Sequence, residues 1–103
     1  MFNNSFLKKL NILFIESNTE DREHFSNILY KFFNNVVVCS NGKDGIDNFL
    51  EKRQEYFLDI IICDKTLEDI TGIEVLKKIR EIDSEIPFII TSPKIEVDDL
   101  LIA

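Results

Sequence analysis

Phe57-Leu58-Asp59-Ile60-Ile61-Ile62-Cys63-Asp64 is the stretch that decides how the chain is read. It is the most apolar run in the sequence, and it stops at a carboxylate. Apolar side chains at consecutive positions suit a strand covered on both faces, as in a parallel sheet. The run is therefore expected to be the central strand, and chemistry is expected at its carboxyl end, where open α/β sheets bind their ligands.

The flanking sequence repeats the pattern. Upstream, Ile12-Leu13-Phe14-Ile15 is a second short apolar run, ending abruptly in Glu16-Ser17-Asn18. Phe25, Ile28, Leu29 and Phe32 follow at i, i+3, i+4 and i+7, with Asn18 or Thr19 as a cap and Glu20 and Asp21 in the first turn, which predicts an amphipathic helix. Asn34-Asn35 breaks it, Val36-Val37-Val38-Cys39 reads as a strand, and Ser40-Asn41-Gly42 is turn chemistry. Residues 43–54 place Ile46, Phe49 and Leu50 on one helical face, although Gly45 lowers helix propensity by about 1 kcal/mol relative to Ala. Downstream of Asp64 comes a polar loop, 65–71, and then Gly72 opens a helix with Ile73, Val75, Leu76 and Ile79, ending near Glu81. Pro87 precedes a fourth strand, Phe88-Ile89-Ile90-Thr91, and Pro93 starts a last segment with Val97, Leu100 and Leu101 among acids.

Strict βαβαβαβα alternation predicts an α/β fold, a doubly wound parallel sheet with helices on both faces and right-handed crossovers. Three polar sites then share the carboxyl edge: Glu16-Ser17 after the first strand, Asp64 after the third and Ser92 after the fourth.

At 103 residues the chain is expected to be one domain, 1–103. Its 45% apolar and 30% charged content is that of a globular protein. A formal charge of −7, with the bases scattered, argues against direct nucleic-acid contact. The opening residues lack the apolar core of a signal peptide and no run approaches the ~20 apolar residues of a membrane span, so a cytoplasmic location is expected. Cys39 and Cys63 lie in apolar runs without metal-site spacing and are read as buried free thiols.

An aspartate at the end of so apolar a strand is costly if desolvated alone, and a second carboxylate at Glu16 would add repulsion. A divalent cation relieves both. Magnesium takes one or two carboxylates plus other oxygens, so Glu16, Asp64 and the backbone carbonyl of Thr66 form a compatible set. Spacing alone equally allows Glu16 and Asp64 to be solvated strand ends with no special role.

Five segments bear on that choice: Ile12-Leu13-Phe14-Ile15-Glu16, Ser40-Asn41-Gly42-Lys43-Asp44-Gly45, Asp59-Ile60-Ile61-Ile62-Cys63-Asp64, Thr71-Gly72-Ile73-Glu74-Val75-Leu76-Lys77-Lys78-Ile79-Arg80 and Ile86-Pro87-Phe88-Ile89-Ile90-Thr91-Ser92. In order and spacing the chain resembles the response-regulator receiver family over nearly its whole length. The resemblance implies a flavodoxin-like receiver fold with strand order 2-1-3-4. It also implies that Asp64 takes a phosphoryl group from the phosphohistidine of a histidine kinase or phosphotransfer protein. Glu16 is then an acidic metal-site residue, Thr66 lends its backbone carbonyl to magnesium, and Ser92 is the switch hydroxyl that turns toward the phosphoryl oxygen. Metal charge and a hydroxyl donor both suit phosphoryl transfer.

The chain also departs from the family pattern. Receivers carry two adjacent acids after the first strand, and Ser17 stands where the second belongs, so weak magnesium binding is expected. A Met-Pro pair usual in the loop after the aspartate is replaced by Leu67-Glu68. The sequence stops at Ala103 inside the last helical segment, so a C-terminally truncated receiver is expected, without the fifth strand, its helix and the family lysine. That would leave the fourth strand as an apolar edge, prone to self-association by strand pairing or by exchange of the last helix.

Signal reception, rather than enzymatic turnover, is the leading expectation. The alternative is a phosphorylation-independent pseudo-receiver acting as a protein–protein interaction module, favoured by Ser17 and the absent lysine. A phosphatase of the haloacid-dehalogenase type would want an acid where Thr66 stands, and a flavin-binding module would want a hydroxyl- and glycine-rich loop where the acidic 16–21 segment stands. His24, the single histidine, is read as solvent-facing, and Glu96, Asp98 and Asp99 as the solvated face of the last helix.

Overall fold

A computed structural model describes residues 4–92 of the chain. The expected last helix, with Val97, Leu100, Leu101 and the acids around them, lies outside the described residues. Eight elements follow one another: α1 (Asn4–Leu7), β1 (Asn11–Ile15), α2 (Thr19–Phe32), β2 (Asn35–Cys39), α3 (Gly42–Lys52), β3 (Ile60–Asp64), α4 (Gly72–Ile82) and β4 (Phe88–Thr91). The short α1 carries no periodic signal and was not expected.

The described strands all pair in parallel, in the order β2-β1-β3-β4, as the family resemblance implied. β1 and β3 share the centre. β1 is the more completely covered, buried at every position, whereas β3 alternates between half-buried and buried. The apolar run of β3 is also shorter than its sequence suggested. Phe57 is 77% exposed, and the strand begins at Ile60, because the Asp59 side chain accepts the Asn11 N–H and its own N–H goes to the Asn11 carbonyl.

The three longer helices each start where a polar side chain can take an unpaired backbone N–H. Asn18 caps α2 by accepting from Asp21 N–H, Asn41 caps α3 through Asp44 N–H, and Thr71 caps α4 through Glu74 N–H. The side chains of alternate strand residues divide between the two faces. Leu13, Ile15, Ile61 and Cys63 join Phe49 of α3 and Val75 and Ile79 of α4 in one core cluster. On the other face, Phe14 and Ile62 meet Phe25, Ile28 and Leu29 of α2 around a groove of about 450 Å³ that also reaches Thr91 and Ser92. Phe25 and Ile28 were expected as core positions. They are 46% and 39% exposed, since only one of the described helices covers this face.

Candidate functional site

Parallel register brings the carboxyl-edge residues together. Ile15 pairs with Cys63 and Asp64 with Thr91, so Glu16 emerges beside Asp64 on one side and Ser92 one residue past it on the other. Both carboxylates are buried, Glu16 at 5% exposure and Asp64 at 6%.

Asp64 Oδ1 is fully buried and has no hydrogen-bond partner. Burial pushes the Asp64 carboxyl above its ordinary 3.8, and the negative charge of Asp21 adds to the shift. The N–H groups of Lys65 and Thr66 and a hydrogen-bonding approach of the Glu16 side chain act in the opposite direction without cancelling it. Glu16 is likewise raised above 4.5, first by desolvation and then by Asp64 and Asp21, while the Asn18 N–H and the Arg22 guanidinium resist. A buried carboxyl oxygen without a donor is costly, and two such acids side by side call for a counter-charge. Asp21 belongs to this field, although its place in a helix's first turn concealed that role.

The backbone around Asp64 is tightly held. Gly72 N–H donates to the Lys65 carbonyl, Lys65 N–H donates to Thr91, and Thr66 forms an isolated antiparallel bridge with Thr71. Thr66, whose carbonyl was the third predicted metal ligand, therefore lies in a closed loop two residues after Asp64. Ser17, which stands where the family pattern has a second acid, is engaged with the backbone of two other segments. Its hydroxyl donates to the Ser40 carbonyl at 2.8 Å and accepts from Glu68 N–H at 2.9 Å. Arg22 reinforces the neighbouring turn, donating to the carbonyls of Glu16 and Ser17.

Asp69 gave no sequence signal. Its carboxylate accepts from the N–H groups of Gly42 and Lys43, at the start of α3, and from Ile70 N–H. Some desolvation opposes its charge, but these donors outweigh it and hold the acid below 3.8. Burial, and then the charges of Asp64, Glu16 and Asp69, push the thiol of Cys63, next to Asp64, up to about 12. Both cysteines are free and buried, and His24 is exposed.

The oxygen-only donor set, the orphaned Asp64 Oδ1 and the two raised carboxyls fit magnesium. Among the described residues no group of three or more His, Cys, Asp or Glu side chains could hold a metal, so any cation here leans on backbone oxygen and water. No described helix is long and apolar enough to cross a membrane.

Residues 12–103 match the family described as response regulator receiver domain, and the chain belongs to it. It is 35% identical over 72 residues to the sensory transduction protein LytT of Oceanobacillus iheyensis, covering 70% of this chain and 28% of that protein. Among solved structures it superposes on the CheX-CheY-BeF3-Mg+2 complex from Borrelia burgdorferi, with TM-score 0.75, 22% identity and coverage of 98% and 77% of the two chains. It also superposes on the co-crystal structure of a histidine phosphotransfer signalling protein of Saccharomyces cerevisiae and the receiver domain of its downstream response regulator, with TM-score 0.66, 24% identity and coverage of 84% and 63%. At these identities the two structures show the fold. The chain spans between 11% and 28% of the length of the curated relatives it matches. Receiver domains are signalling modules, and this chain is one of them.

Proposed function

We propose that residues 1–103 form one phosphorylatable receiver unit of a two-component system, with Asp64 as phosphoacceptor. The observation that carries the reading is the buried Asp64 Oδ1, without a hydrogen-bond partner, at the end of β3 beside Glu16. One Asp64 carboxylate oxygen forms a bond to phosphorus while the phosphorus–nitrogen bond of a donor phosphohistidine breaks, the electron pair leaving with the imidazole nitrogen. The Ser92 hydroxyl then turns to donate to a phosphoryl oxygen. Glu16, Asp64 and the Thr66 carbonyl would hold magnesium, whose charge, when bound, offsets that of the transferring group. With Ser17 in place of a second acid, the site has one negative charge fewer and binds the metal weakly.

The donor is a histidine kinase or phosphotransfer protein. The apolar groove with Phe25 and Ile28 at its rim lies next to Glu16 and Ser92 and offers such a partner a contact surface. β4 ends the described strand order and carries the 47% exposed Ile89, which supports association with a second copy. No further catalytic turnover and a cytoplasmic site of action complete the proposal.

Incubating the protein with magnesium and acetyl phosphate is expected to give a mass gain of one phosphoryl group that vanishes in Asp64→Asn. A gain in both forms would move the acceptor elsewhere. The committed hydroxyl of Ser17 favours a second reading, a phosphorylation-independent interaction module, and absence of any magnesium-dependent gain would select it.

A further inference from the structure

Two departures from the family pattern meet in space. Ser17 stands in place of an acid and Glu68 in place of a proline, 51 residues apart in the chain, and the Ser17 hydroxyl accepts the Glu68 N–H at 2.9 Å. Proline has no N–H, so this bond cannot form in a chain that keeps the usual residue at position 68. Nor could a carboxylate at position 17 make the second contact, because the Ser17 hydroxyl donates to the Ser40 carbonyl and an ionised acid has no proton to donate.

We infer that Ser17 and Glu68 are one coupled change, a latch in which Ser17 is a positioning residue that ties loop 65–71 to the ends of β1 and β2. Glu68 itself is exposed, while the preceding Leu67 is buried in the core cluster, so the latch fixes the polar side of a loop whose apolar side is already anchored. Proline stiffens a loop by removing backbone freedom before folding, and the latch does the same work by a hydrogen bond made after it. The next residue supplies the second tie, Asp69 on the N–H groups of Gly42 and Lys43. Loop 65–71 is therefore fixed at consecutive residues to two different elements. It carries Thr66, whose carbonyl the proposed function assigns to the metal, and in its consequence for magnesium the inference rests on that reading.

The latch is made of protein atoms alone, so it is tested first in metal-free protein. Amide hydrogen exchange at Glu68, followed by NMR, is expected to quicken about fivefold or more in Ser17→Ala, the population change that one net hydrogen bond supports, and to return to the parent rate in Ser17→Thr. Equal rates in the parent and Ser17→Ala would overturn the latch. In the labelling reaction, Ser17→Ala is expected to raise the magnesium concentration for half-maximal phosphorylation about threefold or more, with Ser17→Thr restoring it. Glu68→Pro in the Ser17→Ala background is expected to add no further rise, since the donor it removes has already lost its acceptor. Additive effects of the two substitutions would also overturn the coupling. If the parent takes up no phosphoryl group, the phosphoacceptor reading fails by itself, and the exchange rates still decide the latch.

Discussion

Asp64 shows how one buried oxygen couples stability to function. Its carboxyl is raised above 3.8 chiefly by desolvation, so in metal-free protein the folded state holds this proton more tightly than the unfolded chain does. The sign follows: stability declines as pH rises from about 4 through the raised folded pKa, then levels off once the carboxylate is ionised in both states. Glu16, raised above 4.5 for the same leading reason, contributes a slope of the same sign. Asp64→Asn removes the charge from a position where Oδ1 has no donor, and we predict a gain of about 1–2 kcal/mol in urea unfolding at neutral pH without metal, together with a shallower pH slope. A loss of stability in that variant would mean that the carboxylate is satisfied in solution. Asp69 behaves oppositely. Held below 3.8 by three N–H donors, it contributes stability that is present above that value and lost as pH falls through its folded pKa.

At the scale of elements, the approach of α4 to the end of β3 sets where Asp64 sits. A Cβ on Gly72 would lie 2.5 Å from the Asp64 carbonyl oxygen and 3.2 Å from Lys65 Cα, and backbone cannot step aside as a side chain can. Gly72→Ala is predicted to cost about 2–3 kcal/mol in thermal or urea unfolding and to slow labelling of Asp64 by displacing it. Gly42→Ala is the control: its Cβ would meet the ends of the Ile70 and Val75 side chains, and the half-buried Ile70 has room to move, so a smaller loss is expected. If the two substitutions cost the same, the crowding at Asp64 is not what the glycine relieves. Gly45 has a related explanation. It reads as a weak point in a helix, yet a Cβ there would lie 2.3 Å from Ile15 Cδ1, so the lost helix propensity is offset by close packing of α3 on β1.

Among the described residues the two faces of the sheet differ: α3 and α4 seal one, while on the other the groove beside α2 leaves Phe25 and Ile28 partly exposed, and β4, the last strand in the described order, carries Ile89 at 47% exposure. Open apolar edges promote strand pairing, and an inserted lysine blocks it. The apparent mass by light scattering is therefore predicted to rise with concentration, and Ile89→Lys to return it toward that of one chain while changing stability by no more than about 0.5 kcal/mol. A mass equal to one chain at all concentrations would remove strand pairing from the proposal.

The order of elements from β1 to β4, the cap of α2 and the polar ends of β1, β3 and β4 were legible in the sequence. These are local properties: apolar runs, helical spacing and side chains able to take unpaired N–H groups can each be read within a dozen residues. Strict alternation then required parallel pairing, which put Glu16, Asp64 and Ser92 at one edge. How those ends are used follows from packing. Register set Glu16 against Asp64, the crossovers carried Asp69 to the start of α3 and Ser17 to Glu68, and the uncovered side of α2 left Phe25 in solvent. Contacts between residues 26 to 51 positions apart depend on how whole elements pack, and no periodicity within a segment encodes them.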